Sequence, residues 1–122
     1  MSYSTDLEAW DLRCRSEEDA RRATRIFESD PWMRRRIVVA PLLVESPNGE
    51  RVWHLSIESY DPCYWNEDAS RRVWAAIAPY MADDTSLEFC TEDRERYRVR
   101  WTGQRAYIDV PQRIIWELGL EL

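Results

Sequence analysis

Lysine is absent from this chain, and all seventeen of its basic residues are arginine. That excludes a lysine Schiff base and a phosphate-loop lysine. A GC-rich genome, whose codons favour arginine, accounts for the bias, and selection for planar, bidentate contacts is the alternative. Glycine is scarce, at three residues in 122, which leaves no Gly-rich oxyanion turn or phosphate cradle. Histidine occurs once, at His54, so two-histidine metal sites are excluded. The three cysteines, Cys14, Cys63 and Cys90, are odd in number and lack Cys-x-x-Cys spacing. Neither a disulfide framework nor a zinc knuckle is expected, and reduced thiols in a reducing compartment are. The longest apolar run, Ile37 to Val44, is too short to span a bilayer, and residues 2–6 are too polar for a signal peptide. A soluble, cytoplasmic protein is expected.

What is present is aromatic and acidic. Seven Trp, six Tyr and two Phe supply a core for one domain of 122 residues. A chain of that size buries about two thirds of its unfolded surface. The net charge of −6 is evenly spread: residues 1–61 hold nine arginines against twelve acids, and residues 62–122 hold eight against eleven. A duplex-binding protein shows a basic face and a high pI, so nucleic acid is disfavoured and a basic protein partner is easier to fit.

The apolar pattern changes period along the chain. From Tyr3 to Leu12 it suits a strand or a helical face, and the strand is favoured because a helix start follows at once. Ser16 is a good N-cap, Glu17, Glu18 and Asp19 oppose the helix dipole, and Ala20, Ala23, Ile26 and Phe27 share a face. Glu17–Arg21 and Glu18–Arg22 add charge pairs four residues apart, and Asp30-Pro31 ends the helix. Arg36 to Glu45 is a β-branched run apolar on both faces, with Pro41 arguing for an edge or a bulge. Ser46-Pro47-Asn48-Gly49 is a turn, and the return strand places Trp53, Leu55 and Ile57 on one face.

After the loop Tyr60–Trp65, Asn66 caps a second helix whose stripe is Ala69, Val73, Ile77 and Tyr80, stopped by Pro79. Three short strands follow, with Leu87 and Phe89, then Tyr97, Val99 and Trp101, then Ala106, Ile108 and Val110 pointing inward. Their turns are Glu92-Asp93-Arg94 and Thr102-Gly103. The tail from Gln112 to Leu122 is apolar enough to dock. This order gives an α+β fold, a ferredoxin-like β-α-β-β-α-β sandwich with both helices on one face of an antiparallel sheet, extended by C-terminal hairpin strands.

Few constellations suggest chemistry. His54 with Cys63 or Cys90 is formally a nucleophile pair, but no local motif supports it. The paired carboxylates at Glu17-Glu18-Asp19, Asp83-Asp84 and Glu92-Asp93 read as a helix start and two turns. Arg96, Arg98 and Arg100 share one face of a strand, with Glu88 and Asp109 on its neighbours as counter-charges. That strand is the candidate for single-stranded nucleic acid, although its aromatics fall on the opposite face. Tyr60, Tyr64 and Trp65 in the loop, with Trp32 beside Pro31, are candidate anchors for a protein partner.

The stretch from Leu87 to Gly103, Leu-Glu-Phe-Cys-Thr-Glu-Asp-Arg-Glu-Arg-Tyr-Arg-Val-Arg-Trp-Thr-Gly, continues to Arg-Ile-Ile-Trp at Trp116. It resembles the C-terminal ends of small uncharacterised proteins of actinobacteria and their phages. There a strand, a Glu-Asp turn, an aromatic strand and a closing Ile-Trp recur. The resemblance covers about a quarter of the chain, with Thr91 where a glycine commonly stands. It implies the company of phage accessory proteins and carries over no functional residue.

The expectation is therefore a small acidic, non-enzymatic binding protein that inhibits or adapts a protein partner. Anti-defence proteins such as anti-CRISPR inhibitors, or toxin-immunity proteins, are of this kind. The alternative is an RNA- or nucleotide-binding ferredoxin-like module using Arg96, Arg98 and Arg100. No cofactor is expected, and the edge strand Ile37–Val44 offers a route to a homodimer.

Overall fold

Polar caps, β-branched runs and turn residues divide the described residues into six strands and two α-helices. The computed structural model describes residues 5–62, 67–92 and 94–109. Strand β1 is Thr5–Asp11, so the ambiguous N-terminal segment is a strand. Helix α1 spans Glu17–Ser29, and the Ser16 hydroxyl accepts from the Asp19 amide at 3.1 Å, as its cap chemistry requires. Arg21 and Arg22 pair with Glu17 and Glu18 on its exposed face. The chain then forms β2 (Ile37–Glu45), β3 (Arg51–Tyr60), α2 (Glu67–Ile77), β4 (Thr85–Thr91), β5 (Arg96–Thr102) and β6 (Arg105–Asp109). Expectations for Tyr3, Cys63, Tyr64, Trp65, Asn66, Asp93, Val110 and the tail fall outside the described residues.

The fold is α+β and its described strands pair antiparallel, in two sheets: β1-β4-β5-β6 and the hairpin β2-β3. Strands β5 and β6 extend the first sheet from β4, but that sheet has four strands, where a single wider sheet including β2 and β3 was expected. The β5–β6 turn is tight because Gly103 (φ 57°) and Gln104 (φ 62°) both adopt the left-handed conformation that matches strand twist. The two sheets meet beyond the end of β1, where the Leu55 amide donates to the Leu12 carbonyl at 2.8 Å and the Cys14 amide to the Trp53 carbonyl at 2.7 Å.

Both helices bury residues into one core: Ala20, Ala23 and Phe27 from α1, and Val73, Trp74 and Ile77 from α2. These meet Leu87 and Phe89 of β4, Val99 and Trp101 of β5, and Ile37, Val39 and Leu55 of the hairpin. Trp74 lies at its centre, about 6 Å from the rings of Phe27, Phe89 and Trp101. Asp30 fastens the helix layer. Its Oδ1 accepts from the Trp32 and Met33 amides at 3.0 and 2.8 Å, while Oδ2 accepts from Arg72 Nε of α2 at 2.9 Å. Among the described residues no helix is long and apolar enough to cross a membrane.

Candidate protein-binding surface

The β2–β3 hairpin is specified locally. Ser46 and Glu50 close the turn (amide to carbonyl, 2.8 Å), and Gly49 occupies a φ of 84° that other residues reach only with strain. Register then runs from Glu45 opposite Arg51 to Ile37 opposite Tyr60, with one bulge beside Val38 and Val39. Because the amide of Leu55 and the carbonyl of Trp53 bond to the segment after β1, these residues turn their main-chain groups away from β2. Their register partners Pro41 and Leu43 therefore face the open side of the hairpin. By alternation so do Val39 and Glu45. Among the described residues β2 pairs with β3 alone, so it is an edge strand, and Pro41 stands where a missing N–H breaks no bond to β3.

The body does not reach the whole hairpin. Ile37 and Val39 are buried, yet Val38, Leu42, Leu43 and Val44 are 46, 47, 40 and 38% exposed. Val38, Ala40, Leu42 and Val44 alternate onto one face, where register places Ser56, His54 and Val52 beside the last three. The outer face of the hairpin is thus an apolar row on its edge strand. Its two ends differ in charge: Arg34 and Arg35 are exposed and Arg36 half-buried at the start of β2, whereas Glu45 and Glu50 are exposed at the turn, near Arg51.

Two of the aromatic anchors expected from sequence can be placed. Trp32 and Tyr60 are partly buried and pack against the core. They lie at the same end of the hairpin: the Arg36 guanidinium sits 5.1 Å from the Trp32 ring, and the Arg36 carbonyl accepts from the Asp61 amide next to Tyr60. Tyr64 and Trp65 lie outside the described residues.

Arg96, Arg98 and Arg100 share the outer face of β5 and meet acids there. Arg98 and Arg100 both reach Asp109 Oδ2, at 3.2 and 2.9 Å, and Arg96 lies 3.3 Å from Glu8. Arg100, through its hydrogen bond, and Arg98 hold the Asp109 carboxyl below the usual carboxylate range. Arg100 also lies 4.8 Å from the ring of exposed Tyr107. Of the two counter-charges expected, Asp109 makes these ion pairs, while Glu88 stands opposite Arg98 in register.

Of the nucleophile candidates, Cys63 lies outside the described residues. Cys14 is buried, and burial with Asp19 nearby pushes its thiol up to about 12, so it stays protonated at neutral pH. Burial also lowers the pKa of His54, with Arg13 adding to the effect and Asp11 opposing it. Cys90 is on β4, half-buried, with Sγ against the Thr91 carbonyl at 3.6 Å. Among the described residues no cluster of three or more His, Cys, Asp and Glu is placed to hold a metal. A shallow groove of about 300 Å³ between α1 and α2 carries Arg25 and Arg72, and Arg72 is committed to Asp30.

Comparison of the chain with protein-family models, with curated proteins and with solved structures finds no match. The surface itself carries the functional reading. Sequence reasoning marked Pro41 as an edge signal and the run around it as apolar on both faces. It missed that the run outlasts the core, and no residue pattern encodes that.

Proposed function

We propose that this chain is a small acidic binding protein, an inhibitor or adaptor that engages a protein partner through the outer face of the β2–β3 hairpin. The observation that carries this reading is the row Val38, Leu42 and Val44, exposed on one edge strand while Ile37 and Val39 beneath it are buried. Apolar side chains clustered on a surface and flanked by charge are the usual form of a protein-contact site. The net charge of −6 favours a basic partner. Trp32 and Tyr60 would extend the contact at the base of the hairpin, and Tyr64 and Trp65 are carried into this reading from the sequence alone. In this reading the protein acts in the cytoplasm by covering a surface, not by turning over a substrate. The protonated Cys14 thiol supports that. Anti-defence inhibition, as by anti-CRISPR proteins, or toxin immunity fits such a role. We read the two sheets, joined through Leu12 and Cys14, as a split β-α-β, ferredoxin-like arrangement. The antiparallel bridge between Arg13 and His54 supports it, since it joins β3 to the segment that follows β1.

Affinity capture of the tagged protein from nuclease-treated lysate of its own host tests this reading, with Val38→Asp as the matched control. The expected result is one stoichiometric protein that survives nuclease and falls at least about tenfold with Val38→Asp, at unchanged melting temperature. Equal recovery by both proteins overturns it. Recovery that disappears with nuclease favours the second reading, single-stranded RNA on the Arg96–Arg98–Arg100 face, which the stacking of Arg100 on exposed Tyr107 supports.

A further inference from the structure

We propose that the edge of β2 pairs antiparallel with β2 of a second copy of this chain, about a two-fold axis at Leu42. The proposal shares with the preceding reading the premise that the hairpin is a binding element. It differs in using the main-chain edge, where the partner protein would use the face.

The edge supplies the pairing groups. Val39, Leu43 and Glu45 direct main-chain groups to the open side, on a strand of nine residues that, among the described residues, pairs with β3 alone. An unpaired edge with exposed apolar side chains is a template for another strand. The charges along it say which strand fits. Arg34, Arg35 and Arg36 precede β2, and Glu45 and Glu50 flank its far end. Parallel pairing with a second copy would align like charges. Antiparallel pairing sets the arginine end of each copy beside the glutamate end of the other, twice. The edge is therefore self-complementary, as a two-fold interface requires.

Pro41 chooses the register. An axis at Pro41 would oppose two prolines at a position where each strand must donate an N–H, and neither has one. An axis at Leu42 makes the central pair a non-hydrogen-bonded one, in which side chains approach most closely. Leu42 then meets the partner's Leu42, and Ala40 meets the partner's Val44. The Pro41 carbonyl accepts from the partner's Leu43 amide, and Val39 exchanges both bonds with the partner's Glu45. Beyond the strand both ends leave the edge, at the 3-10 turn Met33–Arg35 and at the Ser46–Glu50 turn, so the arginine and glutamate ends of the two copies are neighbours without being register pairs. The product is a four-stranded arm that joins the two apolar outer faces into one platform for the protein partner.

The test is the solution mass of the full chain by sedimentation equilibrium. Twice the 14.7 kDa chain mass is expected at about 100 µM. Leu43→Pro deletes an edge N–H that β3 does not use, and should weaken association at least about tenfold. Arg34→Glu and Glu50→Arg should each weaken it by setting like charges at neighbouring ends, and the double swap should recover part of the loss. Leu42→Cys, in a Cys63→Ser, Cys90→Ser background, should form an intermolecular disulfide, since the central Cα atoms lie within disulfide reach. A monomeric mass at that concentration overturns the proposal. So does a dimer indifferent to both Leu43→Pro and the charge swap. A monomer that still holds a Val38-dependent partner removes the pairing alone, and a dimer with no such partner removes the binding reading alone.

Discussion

The Leu55 amide donates to the Leu12 carbonyl at 2.8 Å, and that bond decides which side of the hairpin is open. It commits the main-chain groups of Leu55 to the segment after β1. Pro41, opposite Leu55, is thereby turned toward solvent at the edge of β2. A proline at this position lowers the pairing capacity of the edge without costing the hairpin a bond.

Replacing Pro41 with valine should therefore strengthen self-association. Each copy regains one edge N–H, and two hydrogen bonds of about 1 kcal/mol each amount to roughly thirtyfold in affinity. Sedimentation of Pro41→Val beside the wild type measures this. Unchanged association would mean that the edge is not where copies meet.

Asp30 joins α1, the turn after it, and α2. Its hydrogen bond from Arg72 lowers its pKa, the Met33 and Trp32 amides add to that, and burial opposes it. Asp30→Ala should cost about 1–2 kcal/mol at neutral pH, the range for a lost cap. Because the folded-state pKa lies below the unfolded value near 4, this contribution is complete above about pH 4 and is lost as pH falls through the folded pKa. Wild-type and Asp30→Ala stabilities, measured by urea unfolding, should converge in acid. A gap that stays constant down to about pH 2 would refute the linkage.

Trp101 is fully buried, and its Nε1 donates to the Trp74 carbonyl at 2.9 Å. Trp101→Phe leaves that carbonyl without the indole and a void beside Trp74, so a loss of about 2–3 kcal/mol is expected. The same exchange at Trp10, which is 49% exposed, should stay within about 0.5 kcal/mol. Equal losses at the two sites would place the core elsewhere.

His54 titrates in the opposite sense from a histidine held by an acid. Burial lowers its folded-state pKa, so below about pH 6.5 the unfolded chain takes up a proton that the folded chain resists. Stability should fall as pH drops from about 6.5 toward the folded pKa, and His54→Gln should remove that slope. A slope that persists in the variant would assign it to another group.

The sequence announced features that reside in a few consecutive residues. The Ser16 cap, the acidic first turn of α1, the turn at Gly49 and the inward set Leu87, Phe89, Val99 and Trp101 were all readable from residue type and period. The hidden features depend on what packs above. Trp74 lies off the row Ala69–Val73–Ile77, yet it is buried because α2 meets both α1 and the sheet, widening its buried arc beyond one stripe. The joint between the two sheets rests on two bonds, at Leu12 and Cys14, made where β1 has already ended. Leu42, Leu43 and Val44 belong to a run that the sequence shows to be apolar on both faces, without saying which part of it is covered. They are exposed because the helices stop short of the hairpin tip, which no local pattern records.

Residue-resolved amide chemical shifts of the labelled protein, recorded while the captured partner is added, test the central claim most directly. If the hairpin is the recognition element, the changes concentrate at Val38, Leu42, Val44 and their neighbours Val52 and His54, with the β5 face unmoved. Changes centred on Arg96, Arg98 and Arg100, with the hairpin unmoved, would contradict it.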